Sequence, residues 1–585
     1  MRRILVLVLT LAACAAPRVD HAAVDRAVEQ LQARKFAAGV VDEGVQPSAY
    51  LDRARARMDG ALLGEPAHEV AILETGQDAL VARLHLIRSA RESIDFQTFS
   101  WGDDDSSRAI YWEFVAAARR GVRVRLLVDQ LGLGGTPDVL AFTTIVDSDL
   151  QLKLYNVLSR RGRNDTENML RNALGNFQHM NHRMHNKLLV VDGAAAIIGG
   201  RNVDDRYFDM DPDWLYVDRD VIVSGPVVED MAAAFDEYWK HPLATPAQYL
   251  VDVAPEILEF AAQESAEIEL DVQHPDRIHW AFDLAAQTDL YSGLVRVTRH
   301  DVSLVELVVD PPSKNRELDP GAEARSDRLM REALELTRES LLVQSNYLVL
   351  TSGARRGLNE LRKERPDLEL AFLTNSLAAT GAPYVYAISR KQRRNLVRKS
   401  GMEIYELKPR PSDPTELVPR YAEVVAEDPD GTGPTLAIHA KSFIVDDEIA
   451  LIGSHNFDPR SASYNTEGGV LIHDRELAAE LEASMRRVMS PNNSWAVARK
   501  PRVWGWRQFN SFMQGISRPL PILDVWPARY TTAYDLRDGE TAVRSVDPTF
   551  YDRYQDVGEL PETDGKKRTV TRLTSVFGGF AEPLM

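Results

Sequence analysis

The chain has 585 residues, 44% of them hydrophobic and 27% charged, which is ordinary globular composition but too long for one ordinary core, so at least two domains or a duplicated one are expected. The formal net charge of −18 argues against general nucleic-acid binding, which needs clustered Lys and Arg, though it leaves room for a small basic pocket. The single cysteine, Cys14, excludes an intramolecular disulfide and a cysteine-based metal site.

The chain opens MRRILVLVLTLAACAAP. Arg2 and Arg3 form a basic start and Ile4 to Leu11 a short apolar run, the pattern of a secretory leader and too short for a lasting membrane span. The run ends in Leu11-Ala12-Ala13-Cys14, which resembles the bacterial lipobox, whose cysteine is lipidated and becomes the mature N-terminus. The plainer alternative is a signal peptide with an incidental cysteine. The lipobox reading is preferred because the only cysteine stands at the expected end of the apolar run. It makes residues 1–13 a lipoprotein signal peptide and places the protein in a bacterial cell envelope, held by acyl chains at a membrane surface. Ala15 after the cysteine, where Asp would favour inner-membrane retention, points to the outer membrane facing the periplasm. Residues 14–70 read as a helical lead-in.

A first half is expected over 71–250. RESIDFQTFSW, from Arg91, is a buried-strand pattern, followed by a helix over about Ala109 to Arg120. VRVRLLVD (Val122 to Asp129), LKLYNV (Leu152 to Val157), HNKLLVVDG (His185 to Gly193) and AAIIGGRN (Ala195 to Asn202) read as further strands. A connecting segment over 251–330 contains Pro311-Pro312-Ser313-Lys314-Asn315, a plausible linker. A second half over 331–500 repeats the order: RESLLVQSNYL from Arg338, a helix over about Gly353 to Lys363, LELAFLTNS, MEIYELKP, HAKSFIVDD (His439 to Asp447) and IALIGSHN (Ile449 to Asn456). The offset is 247 residues from Arg91 to Arg338 and 254 from His185 to His439, close enough to indicate duplication. Alternating strands and helices indicate α/β layers. The extension over 501–585 repeats nothing. Its Trp504, Trp506, Phe509 and Phe512 could form an interfacial face, with packing against the main body the commoner explanation.

The chemistry lies in a motif that occurs twice. His185, Lys187 and Asp192 form one His-x-Lys-x-x-x-x-Asp, and His439, Lys441 and Asp446 the other. An accidental copy is expected on the order of 0.02 times in such a chain. Seven residues after each Asp stands a Gly (Gly199, Gly453), and three further on an Asn (Asn202, Asn456). In a strand, residues i and i+2 share a face, so His185 and Lys187 project together, as do His439 and Lys441. If the halves pack about a pseudo-twofold, two imidazoles and two ammonium groups share one pocket.

Such a pocket suits a phosphodiester. The lysines and asparagines would hold non-bridging oxygens and stabilise charge developing at phosphorus. One neutral imidazole can attack phosphorus to give a phosphohistidine, while the other, protonated, serves the leaving oxygen. No metal or other cofactor is required, since cationic side chains supply the electrostatics. A carboxylate on each imidazole's other nitrogen would fix its tautomer. The candidates are Glu467 for His439 and Asp220 for His185, both just before an apolar strand.

The paired motifs resemble the phospholipase D superfamily, and NHRMHNKLLVVDG (Asn181 to Gly193), IIGGRNVDDRYF (Ile197 to Phe208) and FDPRSASYNTE (Phe457 to Glu467) resemble bacterial cardiolipin synthases of the C type over roughly residues 70–500. The resemblance implies two duplicated α/β/α halves packed about a pseudo-twofold with one shared active site. It implies phosphatidyl transfer on a membrane surface, with phosphatidylglycerol and phosphatidylethanolamine as candidate substrates and no nucleic acid. Hydrolysis to phosphatidic acid, a nuclease and a non-enzymatic lipid-binding lipoprotein are the alternatives, and a partner protein is left open. In the superfamily the first-half histidine is often the nucleophile, here His185, and the motif aspartates, here Asp192 and Asp446, are usually structural. Gly200 departs from the Ser of many relatives, which Ser454 matches.

Overall fold

The computed structural model describes residues 19–34, 44–60, 66–163, 177–263, 272–314, 325–427, 431–500 and 530–577. Cys14 with its leader, and Trp504, Trp506, Phe509 and Phe512, lie outside the described residues.

Two large sheets form the body. The strands of the first half are β1 (His68–Leu73), β2 (Ser93–Trp101), β3 (Arg123–Leu133), β4 (Leu150–Tyr155), β5 (Leu188–Val191), β6 (Ala195–Gly199), β7 (Trp214–Val217), β8 (Asp220–Ser224) and β9 (Ala244–Pro246). The connecting segment supplies β10 (Arg299–Val302) and β11 (Val305–Val309). The second half supplies β12 (Ser340–Gln344), β13 (Glu369–Asn375), β14 (Glu403–Leu407), β15 (Thr435–Ile438), β16 (Lys441–Val445), β17 (Ile449–Gly453), β18 (Gly468–His473) and β19 (Ser494–Arg499), and the extension β20 (Thr531–Leu536) and β21 (Tyr554–Gly558). The first sheet runs β10-β1-β8-β6-β5-β2-β3-β4-β9 and the second β11-β18-β17-β16-β12-β13-β14-β19-β20-β21. From β8 to β9 and from β18 to β19 the order is the same, so the repeat in the sequence is a repeat in space.

Parallel β2, β3 and β4 need crossovers, and the helices Asp105–Arg119 and Pro137–Ile145 provide them. The first of these begins where Asp104 accepts the Ser107 N–H, four residues before the expected start, because the sequence there offers an N-cap rather than an apolar repeat. In the second half Thr351 caps Ser352–Glu364 in the same way. A shared core joins the halves: Val70, Leu188, Ile198 and Val221 from the first pack with Leu342, Ile444, Ile452 and Val470 from the second.

The connecting segment is woven into both sheets, β10 pairing with β1 and β11 with β18. The extension lengthens the second sheet, and its last helix, Gly565–Phe577, lies against the helix Pro383–Asn395, with Thr571 Oγ1 donating to the Pro383 carbonyl. Among the described residues no helix is long and apolar enough to cross a membrane.

Candidate active site

Each motif ends in a turn that its own aspartate ties down. Asp192, at φ 52°, accepts the backbone N–H groups of Arg91 (3.0 Å), Glu92 (2.8 Å) and Ser93 (3.0 Å). Asp446, also at φ 52°, accepts those of Arg338, Glu339 and Ser340 at 2.7–2.9 Å. The repeated Arg-Glu-Ser segments and the repeated motif aspartates therefore meet, and the aspartates stand at the far end of β5 and β16 from the histidines.

At the near end the halves exchange backbone. β15 pairs in parallel with β7, and the His439 N–H donates to the Val217 carbonyl at 2.8 Å. The His185 N–H donates to the Thr466 carbonyl at 2.9 Å, and the Thr466 N–H to that of Arg183. Each histidine is thus bound to the opposite half's segment just before its carboxylate. His185 Nδ1 lies 2.8 Å from Glu467 Oε2, and His439 Nδ1 lies 2.6 Å from Asp218 Oδ2.

Both expected orienting pairs are corrected by this geometry. Glu467 serves His185, not His439. Asp220 orients neither histidine: it is fully buried against Arg83 (2.9 Å) and Arg201 (3.4 Å). The carboxylate missed in the sequence is Asp218, and register shows why it is the counterpart of Glu467. Gly199 pairs with Asp220 and Gly453 with Gly469, so the residue two before each, Asp218 or Glu467, occupies the same place. Aligning Val221-Ile222-Val223 with Val470-Leu471-Ile472 would have found it.

The carboxylates are held differently. Glu467 accepts the hydroxyls of Ser454 (2.5 Å) and Ser461 (2.6 Å). Asp218 accepts the Arg219 N–H at 2.8 Å, and Arg219 reaches across the halves to Gln344 and Ser442, both at 3.0 Å. A Cβ on Gly200 would stand 2.3 Å from Asp218 Oδ1, so the glycine that departs from its counterpart Ser454 leaves the space that Asp218 fills.

The other expected residues gather around the imidazoles. Lys187 donates to the His185 carbonyl and Lys441 to that of His439. Lys441 Nζ is also 2.7 Å from His439 Nδ1, but that nitrogen has one site to offer and the buried Asp218 takes its N–H. Asn202 donates to the Tyr207 hydroxyl (2.8 Å) and accepts the Ser100 N–H (3.2 Å). Asn456 is buried, and its Oδ1 meets no hydrogen-bond donor among the described residues. Tyr207, also missed in the sequence, places its hydroxyl 3.4 Å from His439 Nε2.

Burial sets the charges. It pushes His185 down to about 4 and His439 down to about 3, with Lys187 and Lys441 adding to the effect on both and the carboxylates only partly opposing it. Each ammonium therefore acts on the other half's imidazole. Burial also brings Lys187 down to about 7 and Lys441 to about 8. It disfavours ionised Asp218 and Glu467 too, but the adjacent His and Lys groups outweigh it and hold both carboxyls well below the usual carboxylate range. At neutral pH each pair is a neutral imidazole donating Nδ1–H to a carboxylate, which leaves Nε2 as the reactive nitrogen.

The family profile described as "Cardiolipin synthase, PLD-like domain" matches residues 84–239 and 330–489, more than half of the chain. The chain belongs to this family. It is an enzyme of the phospholipase D superfamily, and the two matches coincide with the two halves. It is 35% identical over 419 residues to cardiolipin synthase C of Escherichia coli, covering 69% of this chain and 81% of that one. It is 30% identical over 447 residues to an uncharacterized protein of Helicobacter pylori, covering 75% and 83%. The solved phosphatidylserine synthase of Haemophilus influenzae Rd KW20 is 14% identical with a TM-score of 0.48, covering 80% of this chain and 91% of that one.

Proposed function

We propose that this phospholipase D-like enzyme transfers a phosphatidyl group between membrane phospholipids, as a cardiolipin synthase does, through a phosphohistidine on His185. The observation that carries the reading is the pair of neutral imidazoles, each fixed through Nδ1 by a carboxylate of the opposite half and each beside a lysine. Two such nitrogens and two such cations at one point suit transfer at the phosphorus of a diester.

His185 Nε2 attacks phosphorus, and the P–O bond to the departing alcohol breaks. His439, neutral in the empty site, takes a proton from solvent as the anionic diester binds beside it and gives that proton to the departing oxygen. The acceptor hydroxyl then loses its proton to His439 and attacks phosphorus, and the P–N bond breaks. With two phosphatidylglycerols the products are cardiolipin and glycerol. Lys187 and Lys441 neutralise the non-bridging oxygens throughout. The Tyr207 hydroxyl supports the division of labour: it stands by His439 Nε2 where an alcohol oxygen would exchange a proton, while Ser454 and Ser461 brace the carboxylate behind His185. Lipidation of Cys14 would keep the site beside its substrate at the periplasmic side of the outer membrane.

The test is purified protein given phosphatidylglycerol, alone and with phosphatidylethanolamine or glycerol. Cardiolipin or another exchanged phospholipid is the expected product. Phosphatidic acid alone would replace the transferase with a hydrolase using water as acceptor.

A further inference from the structure

The sequence marks Pro311 to Asn315 as a linker, yet the run from Asp310 to Lys314 is fastened to both halves. Its backbone is held by the first half. Tyr238, from the helix Val227–Lys240, donates its hydroxyl to the Asp310 carbonyl at 2.6 Å. Tyr155, at the end of β4, and His182, three residues before His185, both donate to the Pro312 carbonyl, His182 at 2.9 Å.

Its side chains serve the second half. Lys314 Nζ donates to Asp310 Oδ2 at 2.8 Å and to the Ser461 carbonyl at 2.7 Å. Asp310 in turn clamps Glu467. Its Oδ2 accepts the Glu467 N–H at 3.1 Å, and its own N–H donates to the Glu467 carbonyl at 2.9 Å. Ser461, whose carbonyl Lys314 holds, donates Oγ to Glu467 Oε1 at 2.6 Å. Two paths therefore run from one ammonium to Glu467, one to its backbone and one to its carboxylate. The other carboxylate oxygen, Oε2, meets His185 Nδ1.

The Lys314 and Asp310 side chains are fully buried. A buried ion pair gains little stability over apolar side chains of the same volume, so stability alone is a poor account of this one. What the ammonium holds is a better account. Asp218, at the other imidazole, takes the Arg219 N–H instead.

We propose that Lys314 is a positioning residue for His185. Acting through Asp310 and Ser461, it fixes Glu467 so that His185 keeps its Nδ1–H on that carboxylate and presents Nε2 to phosphorus. The proposal rests on the reading of His185 as the nucleophile and adds the element that aims it. Because Lys314 acts through its neighbours, its loss should slow the chemical step and leave substrate binding unchanged.

The full chain, in excess over a soluble nitrophenyl phosphodiester, would be followed through a single turnover. At saturating enzyme the rate constant for nitrophenol release does not depend on the folded fraction. Lys314→Met should lower it about tenfold, with the half-saturating enzyme concentration unchanged. In a Glu467→Gln background the same substitution should cause no further fall, whereas in an Asp218→Asn background it should again cost about tenfold. A general loss of structure would act alike in both backgrounds. Lys314→Met leaves Asp310 buried without its cation, so the cycle would be repeated with Asp310→Asn/Lys314→Met, which carries no lone charge and should behave in the same way. No fall in the otherwise native chain, or an equal fall in the Glu467→Gln and Asp218→Asn backgrounds, in whichever variant keeps a cooperative melting transition, would overturn the proposal. Phosphorus label found on His439 of the wild type would overturn the nucleophile reading instead, and the cycle would still decide whether Lys314 works through Glu467.

Discussion

His185 and Glu467 are 282 residues apart in the chain, yet an imidazole nitrogen of one lies 2.8 Å from a carboxylate oxygen of the other. His439 and Asp218 repeat the relationship in the opposite sense over 221 residues. Neither half holds a complete histidine–carboxylate pair, so the active site exists only when both halves are docked.

Replacing either carboxylate should therefore damage the opposite half's histidine. Glu467→Gln and Asp218→Asn keep the shape but favour the wrong imidazole tautomer, and each should lower kcat by a factor of about 10²–10⁴. Steady-state assays on phosphatidylglycerol check this. Asp220→Asn should act through stability instead, costing about 3–5 kcal/mol by leaving Arg83 and Arg201 without their buried partner. A fall in melting temperature with little change in kcat per folded molecule is the expected result.

The two histidines should fail differently. His185→Ala should give no covalent intermediate with a phosphorus-labelled substrate. His439→Ala should still be labelled when the leaving group is a good one such as nitrophenol, and should then release the label slowly because the acceptor is not activated. Acid-quenched protein separated on a gel shows which variant carries phosphorus. Label on His439 in the His185→Ala variant would reverse the assignment.

The pH profile follows from burial. On a nitrophenyl diester, whose leaving group needs no proton from His439, raising the pH through about 4 completes the supply of neutral His185, so kcat/KM should rise there. Raising it through about 7 and then about 8 takes the protons from Lys187 and Lys441, so anion binding and kcat/KM should fall. A bound phosphodiester stabilises the charged lysines, so the falling limb of kcat should lie at higher pH than that of kcat/KM. Profiles of both constants on a soluble phosphodiester measure the difference.

The motif aspartates should report on stability more than on chemistry. Asp192→Ala or Asp446→Ala removes an acceptor from three backbone N–H groups and leaves Ala at positive φ. A loss of about 2–4 kcal/mol is expected. Denaturant titration gives the magnitude, and Asp→Asn, which tolerates that backbone, should recover part of it.

The anchor is tested separately. Cys14→Ser should move the protein from the membrane to the soluble fraction of the cell envelope without altering kcat on a soluble phosphodiester. An unchanged distribution would leave the leader as a plain signal peptide or show that another surface binds the membrane.

By itself the sequence determined the chemistry-bearing groups and the duplication. His-x-Lys recurs because two-residue periodicity on a strand is a local property, and the Gly and Asn that follow recur because each half builds the same strand pair. The structural role of Asp192 and Asp446 was legible through the resemblance alone, since the N–H groups they hold begin 101 and 108 residues away in the chain. Tertiary structure decided which carboxylate meets which imidazole. Spacing along one half favoured Glu467 with His439, but β7 pairs with β15 and Thr466 with His185 across the pseudo-twofold, so the partners are exchanged. It also chose Asp218 over Asp220: Asp218 lies in the link between β7 and β8 while Asp220 opens β8, and only the register of β8 against β6 shows that Asp220 turns to Arg83 and Arg201. Tyr207 was illegible for the same reason, because a site assembled from several strand ends has no spacing in the chain.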